Sequence, residues 1–174
     1  LVLGGPELLA AAVRDMLEKQ RPDLVATLSS GLSEVKGDDP TAVLRSIDAE
    51  SAVLVPIATP DYSGGLEEGF AAAVTAVIAH ARPGTRDERR VNVLAGPGLT
   101  PADCRELQAI VDAFGLEATI LPDLSALEGG RSSYTAITTG GTPLASIRAM
   151  GSARLTIALG ASLAGAAANL ERSC

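Results

Sequence analysis

The stretch SAVLVPIATPDYSGGLEEGFAAAVTAVIAHA, residues 51–81, decides the fold class. Its first third, Ser51–Ala58, is a continuous apolar run, as expected of a strand buried on both faces. Thr59-Pro60-Asp61-Tyr62-Ser63-Gly64-Gly65 follows as a long polar loop with two glycines. Leu66 to about Ala81 is Ala-rich and closes on His80 and Arg82, which predicts a buried helix. No apolar run reaches the roughly 20 residues that span a bilayer.

The same pattern of strand, turn, Pro and helix recurs outward in both directions. Upstream, Leu1–Leu3 leads through Gly4-Gly5-Pro6 into a helix to about Gln20. Asp23–Leu28 is the next strand, and Asp38-Asp39-Pro40 opens a helix to about Ala49. Downstream, Val91–Ala95 leads to Thr100-Pro101 and a helix ending at Phe114-Gly115. Glu117–Leu121 is a strand, and Thr138 to Thr142 turns into Pro143 and a short helix. Arg154–Leu159 is a strand, and Ser162 to about Glu171 the last helix. Strands alternating with helices in this way predict an α/β fold of Rossmann-like units with mostly parallel, covered sheets.

The joints agree with that reading. Asp39, Thr100 and Thr142 each stand where a side chain accepts the unpaired N–H groups of a helix start, an effect worth about 1 kcal/mol apiece. Gly115 stands where a helix takes a left-handed C-terminal residue. Residues 81–90, ARPGTRDERR, read as a charged linker. A boundary there divides the chain into units 1–86 and 87–174, the second expected to be incomplete.

Composition removes several function classes. The 174 residues carry 21 acidic and 14 basic side chains, a net charge of −7. Forty-seven per cent are apolar, which excludes intrinsic disorder. Two Phe, two Tyr and no Trp leave no platform for stacking bases, and no basic cluster extends beyond Arg86–Arg90, so nucleic-acid binding is not expected. Cys104 and Cys174 make no disulfide framework, and a reducing, cytoplasmic compartment is the expectation. The chain opens on a strand with no Met, which predicts an internal piece of a longer protein.

Few groups offer chemistry of their own. Gly96-Pro97-Gly98 mimics part of a dinucleotide fingerprint, but Pro101 stands where its third glycine belongs. His80 is the sole histidine, so a Ser-His-Asp, Cys-His or multi-His zinc arrangement within the chain is expected to be impossible or strained. Cys104 shares a helical stripe with Leu107, Ile110, Val111 and Phe114, and is read as core packing. Asp38-Asp39 is read as helix capping, not a Mg²⁺ site. No catalytic residue and no metal ligand is assigned. What remains are the loops at the carboxyl ends of the second and third strands, where open α/β sheets place their sites. Ser30-Gly31 and Asp61-Tyr62 are expected to converge there.

The chain also resembles the nitrogenase component 1 family. The matching residues in the first half are Val2-Leu3-Gly4-Gly5, Arg21-Pro22-Asp23-Leu24, Ser30-Gly31-Leu32-Ser33-Glu34, Gly37-Asp38-Asp39, Thr59-Pro60-Asp61-Tyr62-Ser63-Gly64 and Gly69-Phe70-Ala71-Ala72-Ala73-Val74. In the second half they are Val91-Asn92-Val93-Leu94-Ala95-Gly96, Ala113-Phe114-Gly115-Leu116, Leu121-Pro122-Asp123-Leu124, Gly140-Gly141-Thr142 and Ala158-Leu159-Gly160. The resemblance is closest to the NifN-type cofactor-biosynthesis branch. It implies a heterotetramer with a NifE-type partner subunit, visited by the nitrogenase iron protein, on which the iron–molybdenum cofactor of nitrogenase is assembled. It also implies an iron–sulfur cluster and a cofactor precursor in the full complex, with none held by this piece alone. The catalytic β subunit of nitrogenase looks similar, but has a cluster-binding Cys where this chain has Gly31 and a Ser where it has Asp61. Ser30, Gly31, Asp61 and Tyr62 are therefore expected to be the cofactor-binding, cluster-facing loop residues, with Asp61 offering an oxygen ligand or a polar rim where the β subunit has its Ser. The alternatives are a redox subunit, either a nitrogenase β subunit or a protochlorophyllide reductase subunit, and a generic Rossmann ligand-binding domain.

Overall fold

A computed structural model describes residues 4–127 and 140–173. The expected strand Leu1–Leu3, the turn residues Thr138 and Thr139, and Cys174 lie outside them. The chain forms two compact units, Leu1–Gly65 and Leu66–Cys174.

In the first unit, α1 (Gly5–Gln20) precedes β1 (Leu24–Leu28), α2 (Gly31–Val35), α3 (Pro40–Arg45) and β2 (Val53–Ile57). Strands β1 and β2 pair in parallel, Leu24 with Val53 through Leu28 with Ile57. Ala10 and Val13 of α1 pack with Val25, Leu44 and Ile47 to form the core. Asp39 caps α3 as expected, its carboxylate accepting the Ala42 N–H at 3.0 Å. Helix α3 ends at Arg45, short of the expected Ala49. Helix α2 was not anticipated; there the Ser30 and Ser33 side chains each accept the other's backbone N–H, nucleating a single turn.

In the second unit, α4 (Leu66–Ile78) leads to β3 (Asp87–Ala95), α5 (Pro101–Ala113), β4 (Glu117–Leu121), α6 (Leu144–Ala149), β5 (Ala153–Leu159) and α7 (Ala164–Ser173). The sheet order is β4-β3-β5, all parallel. Central strand β3 is buried on both faces, and its side chains alternate between two cores. Leu94 joins Val74 and Ile78 of α4, together with Ile147, Met150 and Leu163. Val91, Val93 and Ala95 join Cys104 and Ile120 beneath α5. The α/β class with parallel sheets is as expected.

Four details depart from the sequence expectations. The units divide at Gly65/Leu66 and not at 86/87, because α4 spends its apolar face on the second sheet. The charged linker is shorter than 81–90, since Asp87–Arg90 extend β3. Their charges stay at the strand's exposed end, where Arg89 meets Glu117 at 3.4 Å and Arg90 meets Asp87 at 3.3 Å. Thr142 does not cap α6, whose N-cap is Pro143. Its hydroxyl instead donates to the Ile120 carbonyl and accepts the Asp123 N–H, closing the end of β4. On α5, Cys104 and Val111 are buried, but Ile110 and Phe114 are exposed. Ile110 lies about a third of a turn from Cys104, beyond the stripe the sheet covers, and Phe114 is the C-cap. Thr100 and Asp103 form the expected cap, and their hydrogen bonds hold the Asp103 carboxyl below its usual pKa. Gly115 takes φ +71°, as a left-handed helix end requires.

Candidate functional site

Both polar loops leave the carboxyl ends of parallel neighbours β1 and β2, so topology alone puts them on one edge. Hydrogen bonds then hold them together. The Ser29 N–H donates to the Ile57 carbonyl at 3.0 Å, extending the ladder by one residue. The Thr59 N–H donates to Ser29 Oγ at 3.1 Å, and the Thr59 hydroxyl donates to the Ser29 carbonyl at 2.8 Å. The Ser29 hydroxyl donates in turn to the Glu34 carboxylate from α2. Buried Ser29 is thus the node through which β1, α2 and the Thr59 loop are fixed. The sequence reading missed the Ser29–Thr59–Glu34 frame; its signal was a hydroxyl residue at the end of each strand, Ser29 and Thr59.

Across this frame, Gly31 and Asp61 meet. A Cβ at Gly31 would overlap Asp61 Oδ1 and stand 3.2 Å from both Asp61 Cγ and Tyr62 Cδ1. Gly31 is buried, whereas Ser30, Asp61 and Tyr62 are exposed around it. The four expected site residues are therefore brought to one edge. Helix α2 is inverted relative to an ordinary surface helix. Its polar Ser33 and Glu34 are half-buried, while Leu32 and Val35 are 72% and 77% exposed. Beside this edge a cleft of about 300 Å³ is lined in part by Gly5, Thr27, Ser29, Ser30, Asp38 and Asp39. Thr27 Oγ1 is buried without a hydrogen-bond partner among the described residues.

What this edge offers chemically is oxygen: one carboxylate, one phenol and hydroxyls. An iron–sulfur cluster is held mainly by thiolates, and the described residues of the first unit contain none. Cys104 belongs to the other unit's core at 2% exposure, as expected of a packing residue. The described residues of this edge do not by themselves fit ligation of a cluster. No group of three or more metal-ligating side chains exists among the described residues. His80 stands at the end of α4, its pKa held below the ordinary value by burial and by the nearby Arg148 cation. At Gly96 a Cβ would overlap the Leu159 carbonyl oxygen of β5, so packing against that strand accounts for this glycine. No helix of the described residues is long and apolar enough to cross a membrane.

Thr59→Val retains the backbone bond to Ser29 Oγ and removes the hydroxyl bond to the Ser29 carbonyl. The expected loss is about 0.5–1.5 kcal/mol, seen as a lower denaturant midpoint at unchanged slope. An unchanged midpoint would remove Thr59 from the frame.

Three comparisons bear on what this edge belongs to. The family model of nitrogenase component 1 type oxidoreductases matches residues 1–174. The NifN iron–molybdenum cofactor biosynthesis protein of Nostoc sp. is 37% identical over 178 residues, covering 98% of this chain and 40% of that protein. The NifN of Klebsiella pneumoniae is 33% identical over 186 residues, covering 99% of this chain and 40% of that protein. That of Bradyrhizobium diazoefficiens is 37% identical, covering 95% of this chain and 38% of its own length. A solved chain described as "Nitrogenase Cp1 at pH 6.5" superposes with a TM-score of 0.87 at 28% identity, covering 99% of this chain and 40% of that one. The chain thus spans about 40% of the length of these relatives.

Proposed function

The chain belongs to the nitrogenase component 1 type oxidoreductase family, and we propose that its parent protein is a subunit of the scaffold on which the iron–molybdenum cofactor of nitrogenase is assembled. The observation that supports this most directly is the run of NifN relatives aligned along nearly the whole chain at 33–37% identity. On this reading the partner is a NifE-type subunit in a heterotetramer, and the nitrogenase iron protein visits the complex. The edge carrying Ser30, Gly31, Asp61 and Tyr62 faces the cluster side of that assembly.

The chemistry of such a complex resides in its metal clusters, which supply electron transfer and sulfide-bridged iron when bound. The protein's part is positioning and electrostatics. Ser29, Thr59 and Glu34 keep the two loops in register, and Asp61 places a negative oxygen at their junction. The inverted α2 presents Leu32 and Val35 outward beside them, an apolar margin suited to excluding water.

Likeness to a nitrogenase component favours a second reading, a catalytic β subunit. Complementation separates the two. Two nitrogen-fixing strains are used, one lacking its NifN and one lacking its catalytic β subunit. The full-length parent gene is expected to restore growth on dinitrogen in the first strain only. Rescue of the second strain alone would overturn the scaffold reading.

A further inference from the structure

We propose that positions 31 and 61 act as one unit, in which the missing side chain at Gly31 sets where the Asp61 carboxylate stands. Gly31 is the positioning residue and Asp61 the group it positions. Nothing in the local backbone asks for glycine there. Gly31 is absent from the residues with positive φ, and it occupies the first turn of α2, where alanine is the better helix former. Space does ask for it, since the volume of a Cβ is already taken by Asp61 Oδ1, with Asp61 Cγ and Tyr62 Cδ1 at 3.2 Å.

Parting of the loops is opposed by the two bonds of Thr59 to Ser29 and the bond of Ser29 to Glu34 on α2. What gives way is the pair of exposed side chains at Asp61 and Tyr62, and their displacement loosens the contact between the start of α2 and the Thr59 loop. Any residue with a side chain at 31 therefore expels the carboxylate from the junction. A thiolate at 31 and a carboxylate at this position of 61 exclude each other. The junction itself holds one hard carboxylate oxygen or one soft sulfur, not both. The exclusion itself is independent of function; only the statement that the donor faces a metal cluster rests on the reading given above.

Two arms test this in the full-length protein. In the first, Gly31→Ala, Asp61→Ser and the double variant are compared by hydrogen exchange over residues 29–35. Gly31→Ala is expected to speed exchange several-fold in the presence of Asp61. In the Asp61→Ser background the same change is expected to leave exchange unchanged or slow it, since the helix preference then acts alone. Equal effects in both backgrounds would overturn the coupling. In the second arm, the iron–sulfur spectrum of the purified complex with its NifE-type partner is recorded for Gly31→Cys and for Gly31→Cys with Asp61→Ser. A larger change in the double variant is the expected result. Coupled exchange with both spectra unchanged would keep the steric unit and overturn its place beside the cluster.

Discussion

Leu94→Ala is expected to lower the stability of the second unit by about 2–5 kcal/mol, the range for deleting a fully enclosed aliphatic side chain. Leu94 has no exposed surface and sits between α4 and α7, touching the cluster of Val74, Ile78, Met150 and Leu163. Chemical denaturation with the transition followed by circular dichroism measures the loss. A second readout decides where α4 belongs. If α4 docks through this cluster, amide protection over residues 66–78 should fall together with that of β3. Protection of α4 that survives while β3 loosens would return the boundary to residues 86/87.

Gly96→Ala is expected to cost about 1–3 kcal/mol, the usual range for forcing a methyl group into a packed interior. Its obstacle is the Leu159 carbonyl oxygen, a backbone atom in the neighbouring strand, which cannot swing aside as a side chain can. Gly98→Ala, two residues on, meets nothing within 4 Å. That change should stay within about 0.5 kcal/mol of the parent. The pair of denaturant midpoints is the test. Equal losses at both positions would mean that the turn, and not the approach of β5, demands glycine.

The alternation of apolar runs with helical stretches was legible because burial on both faces leaves a local signature: Val91 to Ala95 is buried at every position, and Asn92 is its one polar residue. Caps were legible for the same reason, since Asp39 and Thr100 act on amides three residues away. Thr142 has the same composition cue, yet its hydroxyl bonds Ile120, 22 residues distant. Sequence cannot tell a hydroxyl that caps its own helix from one that closes another strand. Phe114 shows the matching limit for apolar residues. Helical spacing puts it near the stripe, but it is 77% exposed because a stripe is buried only as far as its partner reaches.

For the site, sequence by itself determined that the Ser30-Gly31 and Asp61-Tyr62 loops share an edge. Two parallel strands must end on the same side, and hydrophobic runs and crossover lengths suffice to establish that arrangement. The family was legible from ordered motifs along the whole chain. Only the tertiary structure decided that Ser29 and Thr59 lock the loops together and that Asp61 fills the space a side chain at 31 would need. It alone decided that α4 belongs to the second unit. The physical reason is range: strand direction and helix start are set by neighbours within a few residues. Which atom occupies a given volume is set by residues some 30 positions apart in the chain, as Gly31 and Asp61 are.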